Sequence, residues 1–494
     1  MSVKQSIYLK KEVLIRIIRA FFSGDFLKNI RLIPFDMRPR GMEVSYRCCI
    51  YKERAVLRER IIAGLGFAIE DDDEAEDLSD YAKKALSRVK PSAKPLTIAA
   101  TACKGCVKNR VYVTDICQGC VARMCGQVCK FGAVNFINGK SVIDAAKCKN
   151  CKMCVAVCPY KAIAQTIVPC EEACPVDAIK KNEAGFAQID YERCILCGKC
   201  IAGCPFGAVH EKSWLIDVLK HFNSGLTEKD GVANGKNIIA LIAPSIAGQF
   251  PGNIYQLKSA IIQTGFSDVY EVACGADITI KNEAVEFDER MEKGAPFMTT
   301  SCCAGYKQFA GKHLPEIAKF MSHTQTPLYY IAQKVKEAHP DAITVFISPC
   351  AAKKIEAFYN ANVDYVINYE ELGALFIAKN IEILNCKETK YDVESSKQGR
   401  NFAVSSGVAA AVASLAKTPI KPYIINGLNR ETINSLKKAA KEQKIDGNLV
   451  EVMCCENGCI GGNAAICAPK VAQKAIKALV EISQDIKDDT GSGI

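Results

Sequence analysis

The chain has 494 residues, 49% of them apolar and 24% charged, an ordinary globular composition with room for two or three domains. Such a chain buries a large core without disulfides, so its 27 cysteines point to metal ligation and a reducing, cytoplasmic setting rather than a secreted disulfide framework. No run approaches transmembrane length. Residues 14–22 are partly apolar, but Arg16 and Arg19 interrupt them and no small-residue cleavage site follows, so no secretory signal is read there.

Residues 1–95 read as a helical N-terminal region. Residues 10–22 (KKEVLIRIIRAFF) and 51–67 (YKERAVLRERIIAGLGF) place apolar side chains at helical spacing with basic ones between. The first is read as a helix packed on its own protein in preference to one lying on a membrane surface. Cys48 and Cys49 have no partners nearby and read as structural or redox-sensing thiols. The acidic run 70–77 (EDDDEAED) marks a boundary. A short helix over 78–89 follows, and Pro91 and Pro95 punctuate a linker.

Residues 96–212 repeat internally. Cys148, Cys151, Cys154 and Cys158 with Pro159 give the C-x2-C-x2-C-x3-C-P run that holds 4Fe-4S clusters, and Cys194, Cys197, Cys200 and Cys204 with Pro205 give it again. Cys117, Cys120, Cys125 and Cys129 form a looser variant, and Cys103 with Cys106 and Cys170 with Cys174 are half-motifs. These sixteen cysteines suffice for four clusters. Because the fourth cysteine of a run ligates the neighbouring cluster in two-cluster ferredoxins, the expectation is one ferredoxin-like α+β unit, about 110–166, nested in another. The inner unit takes Cys117, Cys120, Cys125 and Cys158, then Cys148, Cys151, Cys154 and Cys129. The outer takes Cys103, Cys106, Cys170 and Cys204, then Cys194, Cys197, Cys200 and Cys174. The rival pairing joins the two complete runs and leaves the half-motifs as zinc ligands or free thiols. Each bound cluster carries about two negative charges with its thiolates, which offsets the formal charge of +10 and removes the case for nucleic-acid binding.

Residues 213–236 read as a connector. From 237 to 494 the pattern alternates strands (IIALIAP, DVYEVA, PFMTTS, ITVFIS, VDYVIN, KPYIING, LVEVM) with helices, as in an α/β domain with largely parallel sheets. Three cysteine loops follow strands: MTTSCCAGY at 298–306, SPCAAKK at 348–354 and MCCENGC at 453–459. Ligands at the carboxyl ends of parallel strands occupy the usual binding edge of such sheets. Cys274, Cys386 and Cys467 are isolated and read as structural. No nucleotide-, flavin- or nicotinamide-binding fingerprint stands out, so electrons are expected from a protein carrier.

These three loops resemble the active-site loops of the FeFe (iron-only) hydrogenases, and the resemblance extends from about Cys103 to the C-terminus. It implies an H-cluster, a 4Fe-4S cubane joined to a di-iron unit with CO, cyanide and a bridging dithiolate. Cys303, Cys350, Cys455 and Cys459 would hold the cubane, Cys459 also bridging to the di-iron unit. Cys302 would pass protons to the bridging amine, Lys353 would hydrogen-bond a cyanide, and Met453 would pack against the site. Glu283, Glu286 and Thr326 align with the family's proton path. Ala304 and Tyr306 stand where proline and tryptophan are common, Ser348 where methionine is usual, and Cys454 where a small apolar residue is usual. Gly461, Gly462 and Asn463 replace a longer glycine-rich ending. The chain therefore resembles a divergent branch, since such surroundings tune a metal site.

The implied function is interconversion of protons plus electrons with molecular hydrogen in anaerobic hydrogen metabolism. The implied partners are ferredoxin or a similar low-potential electron carrier and the hydrogenase maturation proteins. The alternatives are a hydrogen sensor with low turnover, and an iron-sulfur assembly or electron-carrier protein lacking the di-iron unit. Retention of Cys302 and Lys353 argues against the last.

Overall fold

The computed structural model describes residues 5–43, 47–103, 106, 110–222 and 237–486. Four helices open the chain: α1 Gln5–Phe21, α2 Phe26–Met37, α3 Ile50–Gly64 and α4 Leu78–Ser87. Val13, Leu14, Ile17, Ile18 and Phe21 recur every three or four residues on α1, and all are buried. α2, which the apolar spacing did not announce, carries Pro34 in its last turn, and the backbone N–H of Arg38 still reaches the Pro34 carbonyl. Asp77 starts α4 by accepting a hydrogen bond from the Ser79 N–H.

The acidic run 70–77, read as a boundary, is tied into the fold. Glu70 accepts from the Thr97 hydroxyl and from the Ile98 N–H at 2.8 Å, and Asp72 pairs with Arg58. The N-terminal helices form one continuous core with the rest of the protein.

The cysteine-rich region is built from short antiparallel pairs. An outer pair joins β1 (Leu96–Ile98) to β8 (Val209–Glu211), and inside it β2 (Arg110–Val113) pairs with β5 (Ile163–Thr166). β3 (Val134–Ile137) and β4 (Lys140–Ile143) form one hairpin, β6 (Ile179–Lys181) and β7 (Ala187–Ile189) another. In the sequence, a β2–β5 module thus falls between the two strands of the β1–β8 pair.

Residues 213–236, expected to be a connector, begin with one of the most deeply buried elements. Trp214 and the helix Leu215–Leu219 have 0–2% exposure. The Asp217 carboxylate on that helix is held by Arg88 at 3.0 Å and by Lys220 at 3.6 Å. A buried aspartate reads as a solvated linker residue until its partner Arg88, just past the end of α4, is seen. Residues 223–236 lie outside those described.

Two all-parallel sheets follow. One has the order β10 (Asp268–Glu271), β9 (Ile238–Ile242), β12 (Ile343–Ile347), β13 (Tyr365–Ile367). The other has β11 (Met298–Thr299), β15 (Leu449–Met453), β14 (Pro422–Asn426). β9, β12 and β15 are buried along their whole length, as strands covered on both faces must be. Among the described residues, no helix is long and apolar enough to cross a membrane.

A buried ion pair joins the cysteine-rich region to this domain. Lys354, 0% exposed, places Nζ 2.7 Å from Glu211 on β8 and donates to the Lys212 carbonyl at 2.7 Å. Asn368 also donates to Glu211, at 3.3 Å. Removing one partner of such a pair leaves the other charge buried and unpaired, a loss of about 3–5 kcal/mol. Glu211→Ala is therefore expected to lower the midpoint of thermal unfolding by several degrees. A midpoint equal to wild type would show that the pair contributes nothing.

Candidate active site

The three cysteine loops leave strands of both sheets at their carboxyl ends. Cys302 and Cys303 follow β11, Cys455 and Cys459 follow its neighbour β15, and Cys350 follows β12 in the other sheet. Parallel register sends β11 and β15 the same way, and the Cys350 thiol after β12 feels the sulfurs of both their loops. Cys303 begins the helix Ala304–His313 and accepts the Cys454 N–H at 3.4 Å.

Four sulfurs face one another there. Burial, then Cys455, Cys303 and Cys459, push the Cys350 thiol well above its ordinary value. Burial and Cys455 push up Cys303, and burial, Cys303 and Cys455 push Cys459 up to about 12. A hydrogen bond from Cys454 holds Cys455 down. Lys353 is the cation felt by Cys303, Cys350 and Cys459, too little charge to stabilise four thiolates. Among the described residues, no three His, Cys, Asp or Glu side chains are arranged to hold a single metal ion. Four soft sulfur donors without imidazole or carboxylate among them suit an iron-sulfur cubane.

Cys302 points elsewhere. Its thiol is raised by burial first and then by Glu283. Glu283 is fully buried on the helix Val272–Glu292, and neither carboxylate oxygen has a hydrogen-bond partner. Burial and the neighbouring Glu286 push it up to about 8, so it is protonated at neutral pH. Ser322 lies beside both carboxyls and donates to Glu286 at 2.7 Å. Against the effect of its own burial, Glu286 is held below the usual range by Ser322, the His323 N–H at 3.0 Å and Arg290 at 2.6 Å. His323, with its side chain 82% exposed, ends the line at the surface.

Ser322 and Arg290 were not singled out in the sequence. Arg290 stands four residues after Glu286 on one helix, a spacing that identifies such pairs. Ser322 comes from a separate loop and offered no local signal.

Thr326 does not join this line. It caps the helix Pro327–Ala338 and donates to Glu356 at 2.5 Å. Glu356 also accepts Lys353 at 2.6 Å, and Lys353 donates to the Cys302 carbonyl at 3.4 Å. Burial opposes charge on Lys353, yet Glu356 holds its pKa above the ordinary value. Met453 packs with Cys302 and Cys303.

The departures noted in the sequence have local roles. Tyr306 is buried with its hydroxyl 2.9 Å from that of Thr299. The Ser348 hydroxyl accepts the Cys350 N–H at 3.3 Å, and Asn463 accepts the Ala351 N–H at 3.0 Å, tying the third loop to the second.

The accessory cysteines also group. Burial, then Cys204, Cys103 and Cys106, push Cys170 up to about 12. Burial, Cys197 and Cys174 push Cys194 up to about 11, and Cys200 responds to burial, Cys197, Cys194 and Cys174. Cys129, Cys148, Cys151 and Cys154 line one cavity. Cys125 and Cys158 share an apolar cluster with Val113 and Val128, while Cys117 lies against the backbone of Ser141 and Gly119.

The sequence repeat has a backbone counterpart. The residue three after each terminal cysteine, Gly132, Lys161, Asp177 and Gly207, is left-handed, with φ between 50° and 58°. That turn aims the next N–H back at the sulfur: Ala133, Ala162, Ala178 and Ala208 donate to Cys129, Cys158, Cys174 and Cys204 at 3.2–3.4 Å. Such bonds favour the thiolate that binds iron.

Residues 236–463 match the model of "Iron only hydrogenase large subunit, C-terminal domain", residues 164–215 that of the LdpA Fe-S cluster-binding domain, and residues 140–163 a 4Fe-4S binding domain. The chain is 27% identical over 313 residues to Iron hydrogenase 1 of Clostridium pasteurianum, covering 51% of this chain and 54% of that one. It is 26% identical over 404 residues to the periplasmic [Fe] hydrogenase large subunit of Nitratidesulfovibrio vulgaris, covering 70% and 90%. It thus spans about half the length of the first relative and nine-tenths of the second. A solved structure titled for stepwise [FeFe]-hydrogenase H-cluster assembly in HydA(deltaEFG) aligns with a TM-score of 0.40 at 20% identity, covering 49% of this chain and 84% of that one.

Glu283 yields a pH prediction. Its folded-state pKa lies above its unfolded value, so the native state binds more protons between about 4.5 and 8 and loses stability as pH rises through that window. Glu283→Gln is expected to flatten this dependence in thermal unfolding between pH 5 and pH 8.5 and to remove a carboxylic-acid infrared band that persists at neutral pH. A band already lost by pH 6 would contradict the raised value.

Proposed function

We propose, from the similarity of this divergent chain to FeFe hydrogenases, that it interconverts protons plus electrons with molecular hydrogen. The observation that carries this reading is the thiol of Cys302, packed beside a four-sulfur group and next to the fully buried carboxyl of Glu283, whose pKa burial raises. A purely electron-carrying cluster needs neither a spare thiol nor a buried carboxylic acid behind it.

Cys303, Cys350, Cys455 and Cys459 would hold the cubane of an H-cluster, whose di-iron unit supplies the hydride chemistry when bound. The chain's own residues handle protons and position. Cys302 holds a proton at Sγ next to the site, and Glu283, Ser322 and Glu286 offer successive oxygens from which it is replenished at the Arg290 and His323 surface. Each is a positioned acid or base, and such groups contribute roughly 10²–10⁴-fold each. Lys353, fixed by Glu356, would offer its ammonium group to a cyanide of that unit.

Four further cubanes, in the nested pairing, would bring electrons. The mutual effects within the groups Cys103, Cys106, Cys170, Cys204 and Cys174, Cys194, Cys197, Cys200 support the outer pairs. The shared cavity supports Cys129 with Cys148, Cys151 and Cys154, and the β2–β5 module between β1 and β8 supports nesting. A low-potential carrier such as ferredoxin would supply them, and maturation proteins would load the di-iron unit.

Infrared spectroscopy of protein co-expressed with maturation proteins should show bound CO and cyanide bands, and Cys302→Ser should keep those bands while losing at least 10²-fold in hydrogen turnover. Silence of the wild type in that spectral window would leave an electron carrier instead, and bands without turnover a sensor. Protein made without maturation proteins should carry five cubanes, about twenty irons. About twelve irons would reject the nested pairing.

A further inference from the structure

Glu53, Val56, Leu57 and Arg60 form one stripe on α3, at the three- and four-residue spacing that puts side chains on the same helix face. Together with α1, Arg47 and Phe206, which stands two residues after Cys204, that stripe lines a cavity of about 200 Å³. The stripe is apolar in its middle and charged at both ends. Glu53 and Arg60 are 4% and 5% exposed. Among the described residues, each keeps one buried polar atom without a hydrogen-bond partner, Oε1 of Glu53 and Nε of Arg60. Their other ends are held: Glu53 Oε2 accepts from Arg38 Nε at 2.7 Å, and Arg60 donates to the Gly207 carbonyl at 3.3 Å. A Cβ built on Gly207 would lie 3.0 Å from the same guanidinium, so the turn after Cys204 fits closely against it.

Buried polar atoms in folded proteins have partners, and each that lacks one calls for a specific explanation. Here the two sit in one cavity, one a donor and the other an acceptor. Arg47 and Arg60 both line it, against the single carboxylate of Glu53, which Arg38 already engages. An occupant must therefore offer anionic oxygen to guanidinium groups and a hydrogen to a carboxylate oxygen. We propose that this cavity binds a small oxyanion that carries its own O–H, with Arg60 and Arg47 donating to the anionic oxygens and Glu53 Oε1 accepting the hydroxyl hydrogen. Guanidinium–oxyanion hydrogen bonds are charge-assisted and among the strong ones. Hydrogen phosphate and a 2-hydroxy carboxylate such as lactate share this chemistry. Sulfate at neutral pH does not, because it has no hydrogen to give and would set an oxygen against the Glu53 carboxylate. Bound between α1, α3 and the residues after Cys204, the anion ties the N-terminal helices to the cysteine-rich region.

The site contains no cluster ligand and needs neither the di-iron unit nor turnover, so it stands or falls apart from the hydrogenase reading. Isothermal titration calorimetry of the full cluster-loaded chain, in phosphate-free buffer at neutral pH, tests it with inorganic phosphate, lactate and sulfate in turn. Saturable binding of phosphate or of lactate is expected, the tighter of the two identifying the source, and sulfate should bind at least about tenfold more weakly because it leaves a buried acceptor unsatisfied. The bound anion should also raise the midpoint of thermal unfolding. Glu53→Gln, whose amide can turn an N–H toward the cavity, should erase the preference over sulfate. Arg47→Ala should weaken every anion by roughly tenfold, the worth of one charge-assisted hydrogen bond, and leave the ligand-free midpoint unchanged. Absence of saturable binding by phosphate and lactate would overturn the proposal. So would sulfate binding as tightly as either of them, or a Glu53→Gln variant that keeps the wild-type preference.

Discussion

Thiols gathered in a protein interior are costly to ionise, because each loses hydration and each thiolate repels the next. Cys350, Cys303, Cys459, Cys170, Cys194 and Cys200 are all driven upward by burial and by one another. Much of the architecture answers that constraint. The four left-handed turns aim backbone N–H groups at terminal cysteines, and loops after β11 and β15 of one sheet and β12 of the other bring Cys303, Cys455, Cys459 and Cys350 together. Lys353 beside Cys303, Cys350 and Cys459, Lys199 beside Cys455 and Lys312 beside Cys194 supply part of the opposing charge, and bound iron would supply the rest.

The same constraint decides what could be read from the sequence. Cluster ligands sit at fixed short spacings because one small inorganic core must reach all of them, so C-x2-C-x2-C-x3-C is legible without any fold. The strands before the second and third loops were legible because buried parallel strands are largely apolar runs, as in ITVFI and LVEVM. Residues 213–236 were read as a connector, yet 214–219 pack into the core, and Arg88, the partner of Asp217, stands more than a hundred positions away. The acidic run 70–77 misled for the same reason, since Glu70 and Asp72 answer to Thr97, Ile98 and Arg58.

The proton side was half legible. Glu283 and Glu286 share a helix face, which spacing alone reveals. Their environments do not follow from spacing. One carboxyl is buried without a partner and the other is ringed by donors, and that asymmetry makes one an acid and the other a carboxylate at neutral pH. Thr326 was placed by its position before Pro327, yet a threonine there caps a helix, and its hydroxyl goes to Glu356.

Lys353 and Lys354 begin one short helix, Lys353–Phe358, and successive residues on a helix do not share a face. Lys353 faces the active-site loops through the Cys302 carbonyl and Glu356. Lys354 faces the ferredoxin-like region through Glu211 and the Lys212 carbonyl, with Nζ 5.5 Å from the Trp214 ring centre. The loop carrying Cys350 is thus anchored on one side to the site and on the other to β8, the strand that closes the outer cysteine unit. Both anchors are buried, so neither weakens greatly with salt. A displacement of the cysteine-rich region relative to the site would have to break a desolvated ion pair, and the fold resists it where the two regions meet.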